Sequence, residues 1–488
     1  MKKVNLLLII ILAGIVLSSC SPVIEPSSVD EAPIQSEAKM TPTIESPANP
    51  AAEVSPTTEA DTVVPDEPQG IPDKPLSDDG PWWIFSDPEG LFAINPDGSG
   101  LTQFYYGPIN SPWSRQILVS NSGGHLAYLI GESYDATLKI THFPWRTLVT
   151  EKPLLSFNSD LDMDAMRAIV EFQSMAFSPD GRFLAFMGAI DGPTSDLYLF
   201  SLETFETIQL TDGPSQAYQP VWSPDGKYIV HTGVSTFGTG AGSSLTGIWA
   251  YVVENADAIS LYDPSGSGSE KIIGWVDNQT FVVHSWDMSC GAHNLRTFNI
   301  ETKESTTLWA ESFRSIAFDQ SSAVALLSSN DGECSPDGGA GIYIVPADGN
   351  APYRIVEDTG PQVIWSQDVN LFLVSGEFGP MAVDSRGQFI DLDMPQGAQV
   401  FPAVAPGSRD LAWPGESLWI GSLLGSIDNP PKEIFNEPVY TVTWVPDGQS
   451  VIFFADSGLY IAHQPDYTPI LIAEGLDNRN GYSGWMLP

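Results

Sequence analysis

Cysteine, histidine and positive charge are all scarce in this 488-residue chain: three Cys, six His, and 20 basic side chains against 61 acidic ones. So few thiols and imidazoles argue against a multi-metal or redox enzyme. A formal charge of -41 excludes a nucleic-acid binder, because one polyanion gains nothing by displacing counterions from another. Aromatic side chains are missing from the first 80 residues, although the chain holds 14 Trp, 15 Tyr and 23 Phe. The length suits two or three ordinary domains or one large repeat array.

The opening apolar run, residues 6–17, is too short to span a bilayer, which takes about 20 residues. With Lys2 and Lys3 before it, the run reads as an export signal. It ends in Leu17, Ser18, Ser19, Cys20, which resembles the bacterial lipobox. The resemblance implies cleavage before Cys20 and a lipid on its thiol, with Ser21 favouring the outer membrane where one exists. The alternative is a plain signal peptide with an incidental Cys. The expected location is the cell envelope, tethered by acyl chains and not embedded.

Residues 21–80 carry eleven Pro, thirteen acidic side chains, two Lys and no aromatic. Such a stretch cannot bury enough apolar surface to offset its ordering entropy, so a disordered stalk is expected there. The folded region is then residues 81–488.

Within that region one pattern recurs: an apolar residue, a Ser-Pro-Asp-Gly turn or a decayed copy, then an alternating strand. Clear copies start at Phe177, Trp222 and Trp444; weaker ones start at Val119, Trp275, Phe318, Trp365 and Val404. Pro sets φ at the turn entry, Asp bonds its own backbone and Gly supplies positive φ, so each copy predicts a hairpin. Two more strands follow, as in residues 196–202 and 206–211. A four-stranded unit cannot bury both faces alone, so the units must stack, and radial stacking gives an all-β propeller. The first three strand-like pieces lack a motif-bearing partner, and Trp485 sits like Trp222 or Trp444, so the C-terminal strand is expected to complete the N-terminal blade. The count gives nine slots, which exceeds the usual four to eight. The expectation is therefore about eight blades, within seven to nine. Two smaller β domains side by side form the competing architecture.

The Ser-Pro-Asp-Gly strand signature, with Asp196, Leu197, Tyr198, Leu199 and then Gln209, Leu210, Thr211, Asp212, Gly213, resembles the WD40-like repeat of TolB-type propellers. Similar repeats build the propellers of the prolyl oligopeptidase and dipeptidyl peptidase group. Those peptidases add an α/β-hydrolase domain with a G-x-S-x-G elbow, which has no counterpart here. No catalytic set stands out, and with 61 acidic residues a carboxylate pair signals nothing alone.

Asp160, Asp162, Asp164 and Glu171 occupy positions 1, 3, 5 and 12 of an EF-hand-like loop, which makes calcium the one candidate cofactor. Ala165 stands where that loop needs Gly, and the alternative is a helix capped by Asp164. Cys290 and Cys334 lie fifteen and sixteen residues beyond Trp275 and Phe318, which places both in second-to-third-strand loops of neighbouring blades. In an exported protein a disulfide is expected between them, with free buried thiols as the alternative. Ligand contacts are sought in loops of the same face: Trp286, Asp287, His293, Asp331, Glu333 and Phe237. Trp286 lies outside the repeat's structural slot, unlike Trp222, Trp275, Trp365, Trp444 and Trp485. The expected function is a monomeric, non-enzymatic binding or scaffold module for a protein, peptide or glycan. A glycan hydrolase or lyase with carboxylates at the channel mouth is the alternative.

Overall fold

The Pro-Asp-Gly stretches make their turns through one repeated set of bonds. Ser178 Oγ donates to Asp180 Oδ1 at 2.6 Å, Arg182 N donates to the same oxygen at 3.1 Å, and Phe183 N donates to Ser178 Oγ at 2.9 Å. Ser223, Asp225, Lys227 and Tyr228 repeat the pattern at 2.7, 3.1 and 2.9 Å. Gly181, Gly226 and Gly448 all take φ near +70°, a conformation that costs other residues a clash at Cβ. Each turn starts a hairpin, and antiparallel pairing builds the sheets of the described residues.

The computed structural model describes residues 71–488, apart from segments 108–116, 132–134, 144–146, 156–162, 171–172, 237–242, 263–268, 288–290, 330–338, 358–361, 377–378, 393–394, 396–400 and 424–429 and positions 368, 391, 480 and 488. Among the described residues there are eight antiparallel sheets, seven of four strands and one of seven. The first sheet holds Trp82–Asp87, Gly90–Ile94 and Thr102–Tyr106, with the C-terminal strand Ser483–Met486 paired to Trp82–Asp87. The second runs from Ile117–Val119 to Thr147–Pro153, the third from Met175–Phe177 to Thr207–Gln209, and the fourth from Gln216–Trp222 to Asp257–Tyr262. The wide fifth sheet spans Ser269–Trp275 to Tyr353–Val356. The sixth runs from Gln362–Ser366 to Phe389–Ile390, the seventh from Ala403–Val404 to Lys432–Phe435, and the eighth from Val439–Trp444 to Thr468–Glu474. The fifth sheet is wide because Ser305–Asp319 is one unbroken strand: its first half pairs with Gly291–Asn299 and its second half with Val324–Ser329.

Both faces of each sheet are buried by neighbours. In the first sheet Trp82 and Ile84 pack with Leu126 and Tyr128 of the second, while Trp83 and Phe85, on the opposite face, pack with Ile452 and Phe454 of the eighth. Similar clusters join the second, third and fourth sheets, the fourth and fifth, the two halves of the fifth, and onward to the eighth. Full burial of one such aromatic or aliphatic side chain contributes about 2 kcal/mol, so the core is distributed over the seams.

Two features depart from the sequence expectations. Residues 71–80, placed in the stalk by their Pro content, lie against the first sheet. Ile71 and Leu76 join the clusters on its two sides, Ser77 N donates to Asn95 Oδ1 at 2.8 Å, and Trp82 Nε1 donates to Ser77 O at 2.8 Å. Residues Met163–Val170 form a helix with Ala165, Met166, Ala168 and Ile169 buried. The helix begins at Met163, so Asp164 lies inside its first turn and is not its cap.

Candidate functional site

The strand Thr280–Asp287 starts at a turn held by Asp277, whose Oδ1 accepts from Gln279 N and Thr280 N at 2.7 Å, and Trp286 lies at its far end. Trp286 is 45% exposed there. The other strand-borne large apolar side chains that are exposed, Tyr106, Leu148, Ile208, Tyr353, Phe389 and Leu471, all lie on outermost strands at sheet edges. Trp286 lies on an interior strand, opposite Ser269 and Ala292.

On the other face of the same strands is a polar row, Glu270, Ser285 and His293, set by the pairing of Glu270 with Ser285 and of Ser285 with His293. Ser285 Oγ donates to Glu270 Oε1 at 3.0 Å, and Arg296 Nη2 donates to the same oxygen. Arg296 lies over the rings of Tyr262 and Phe298, at 4.7 and 5.2 Å. Burial pushes the Glu270 carboxyl above its ordinary range, against the pull of Arg296. Glu270 Oε2 and Arg296 Nε are buried without hydrogen-bond partners. A half-satisfied buried pair of this kind contributes little stability; it ties Ser269–Trp275 to Gly291–Asn299 within the fifth sheet. Composition and spacing gave no sign of the pair, whose members are 26 residues apart and meet only through strand register.

Of the residues singled out in the sequence, Trp286 and His293 are brought to this end of the fifth sheet. His293 Nδ1 lies 3.2 Å from Gly291 O. Asp287 closes its strand and Asp164 lies in the helix, but their side chains are outside the described residues. Cys20, Asp160, Asp162, Glu171, Phe237, Cys290, Asp331, Glu333 and Cys334 are also outside them. The strands flanking Cys290 and Cys334 are the second and third strands of the two halves of the wide sheet, as the equal offsets require.

Carboxylate chemistry finds modest support. Asp196 is buried, accepts from Thr211 Oγ1 at 2.7 Å, and is pushed up to about 6, chiefly by desolvation and further by Asp191 and Asp212. Asp191 accepts from Tyr198 OH at 2.6 Å and from Gln209 Nε2 at 2.8 Å. These bonds tie the third sheet's own strands and loop together. Two concavities, of about 380 and 400 Å³, are lined by Glu433, Phe435 and Tyr460 and by Leu371, Ile390 and Arg409. Neither brings two carboxylates together. Among the described residues no three His, Cys, Asp or Glu side chains group as metal ligands.

No protein-family model matches the chain. A 56-residue stretch is 46% identical to the uncharacterized peptidase YuxL of Bacillus subtilis (strain 168), covering 12% of this chain and 8% of that protein. The chain thus matches less than a tenth of that relative's length. Among solved structures, a eukaryotic initiation factor is similar with a TM-score of 0.53 at 14% identity, over 83% of this chain and 98% of that one. TolB from Acinetobacter baumannii gives a TM-score of 0.31 at 16% identity, over 57% and 63%. Likeness at this level of identity concerns the fold alone. The chain is an all-β protein whose propeller-like sheets are mostly four-stranded.

Proposed function

We propose that residues 71–488 close into a β-propeller of nine blades that serves as a lipid-anchored, extracytoplasmic binding module for a protein, peptide or glycan. The ring reading draws on the seam clusters, which run from sheet to sheet and end with the eighth packed on the first. The wide sheet counts as two blades sharing Ser305–Asp319, which raises the total above the eight expected from sequence. Attachment through a lipidated Cys20 and a stalk ending near residue 70 completes the picture, along with a Cys290–Cys334 disulfide between the two blades of the wide sheet. Mass spectrometry of the membrane-extracted chain tests both: a diacylated or triacylated N-terminus, and no alkylation of the two Cys without reductant.

The observation that carries the binding reading is the exposure of Trp286 on an interior strand. Aromatic anchors at such places dominate interface energies. Pull-down from envelope extract with the whole chain and with Trp286→Ala tests it. Partners lost with the variant support the reading, and an identical captured set ends it. The enzymatic alternative has the raised Asp196 in its favour; polysaccharide turnover abolished by Asp196→Asn would replace the binding reading.

A further inference from the structure

We propose that His125 and His142, side by side on the second sheet, form an open binding site for a divalent transition-metal cation of the zinc type. The two residues are direct cross-strand partners. Phe143 N donates to Gly124 O at 2.8 Å, while His125 spends its own backbone bonds on Ser120. His125 and His142 therefore form a non-hydrogen-bonded pair, the kind in which facing side chains come closest.

Their ring centroids are 4.8 Å apart with planes tilted by 53°. Two imidazoles on one tetrahedral zinc, with Zn–N bonds of about 2.0 Å, put their centroids roughly 5 Å apart. The pair is thus preset at a separation that one cation can bridge. His125 Nδ1 is buried and has no hydrogen-bond partner. Gly123, at φ +76°, sets no side chain against that nitrogen: a Cβ built there would touch His125 Nδ1 at 3.4 Å. No third protein ligand joins them among the described residues, so two positions of a tetrahedral shell are left to water or an external donor. A protein of charge -41 also concentrates divalent cations around itself, which favours occupancy.

Zinc chloride titrated into the full chain at neutral pH and physiological salt, followed by calorimetry and thermal unfolding, tests the site. One zinc per chain and a raised Tm are expected, with His125→Gln and His142→Gln each weakening binding by roughly tenfold or more. His463→Gln, on the eighth sheet, should leave binding unchanged. No zinc uptake, or full-strength binding in both glutamine variants, overturns the site and assigns any uptake to surface carboxylates. Should a variant fail to fold, carbethoxylation of the wild-type chain decides: zinc must protect His125 and His142, and unchanged modification rejects the proposal.

Discussion

The indole of Trp222 closes a seam in two ways at once. Its ring packs in the cluster of the third and fourth sheets, and its Nε1 donates to Ala176 O of the preceding sheet at 2.9 Å. Trp444 repeats this with Ala403 O at 3.0 Å, and Trp485 with Trp444 O at 2.8 Å. Trp275 occupies the same slot, yet its Nε1 is buried with no partner. Replacing Trp by Phe keeps most of the apolar surface and removes the N–H. Trp222→Phe should therefore destabilise by about 1 kcal/mol beyond the packing change, whereas Trp275→Phe, which removes an orphaned donor, should be near neutral. Urea midpoints of the two variants check the difference; equal losses would assign the cost to ring volume alone. The slot was legible in sequence as a recurring apolar position before a turn. The bond was not, because its acceptor is 46 residues earlier and meets the indole only when sheets stack.

Turns and strands set the next scale, and two glycines with the same φ separate backbone strain from crowding. A Cβ on Gly181 would stand 2.6 Å from Ser122 O of the second sheet's turn, whereas on Gly226 the nearest atom is Pro179 Cδ at 3.8 Å. Gly226→Ala should cost only the left-handed strain, about 1 kcal/mol, and Gly181→Ala clearly more, since a neighbouring backbone must move. Denaturation midpoints for the pair measure this, and equal costs would mean that adjacent turns do not bear on each other. The C-terminal strand depends on Asn478, whose Nδ2 donates to Ser86 O at 2.6 Å and to Tyr482 O at 2.9 Å. Asn478→Ala removes the side-chain donor from Ser86 O at a buried site and one of two donors from Tyr482 O, which keeps Ser86 N, for a loss of about 2 kcal/mol and faster amide exchange in Ser483–Met486. Unchanged exchange in that strand would show that its backbone ladder suffices. Most of this architecture could be read in the sequence, since Pro-Asp-Gly dictates hairpins and Trp485 has the look of a first strand. The sharing of Ser305–Asp319 could not, because a strand that continues where a loop is expected leaves the spacing from Trp275 to Phe318 unremarkable. At the candidate site Trp286 was legible as a Trp out of register with the repeat, whereas Glu270 and Arg296 meet only through strand pairing.

For the whole molecule, the stability of the fold should respond to pH through imidazoles that it keeps neutral. His231 is 3% exposed, stacked at 5.6 Å on both Trp249 and Tyr251, with Nδ1 3.0 Å from Thr232 O and Nε2 unpartnered. Burial lowers its pKa to about 4, and His284, at the same position after Trp275, is lowered likewise to about 4. An unfolded imidazole titrates near 6.5. Between those values the unfolded chain binds a proton that the fold refuses, so the contribution is complete above pH 6.5 and is lost progressively toward pH 4. For His231 alone the full span is worth about 3 kcal/mol. Asp196 works in the opposite sense: with its pKa raised to about 6, ionisation strains the fold at neutral pH, and acidification from 6 toward 3.8 relieves that strain. Asp180, Asp225 and Asp477, held below the ordinary range by their hydrogen bonds and cations, contribute losses only once the pH falls below about 3.8. His125 is lowered to about 4 as well, and these three imidazoles outweigh the raised carboxyls of Asp196 and Glu270, so Tm should fall between pH 7 and pH 4.5. His231→Phe, which preserves the stack, should flatten the profile, and Asp196→Asn should steepen it. A profile in His231→Phe parallel to that of the wild type would mean that the buried ring accepts its proton without cost, and that acid sensitivity arises from the surface charge.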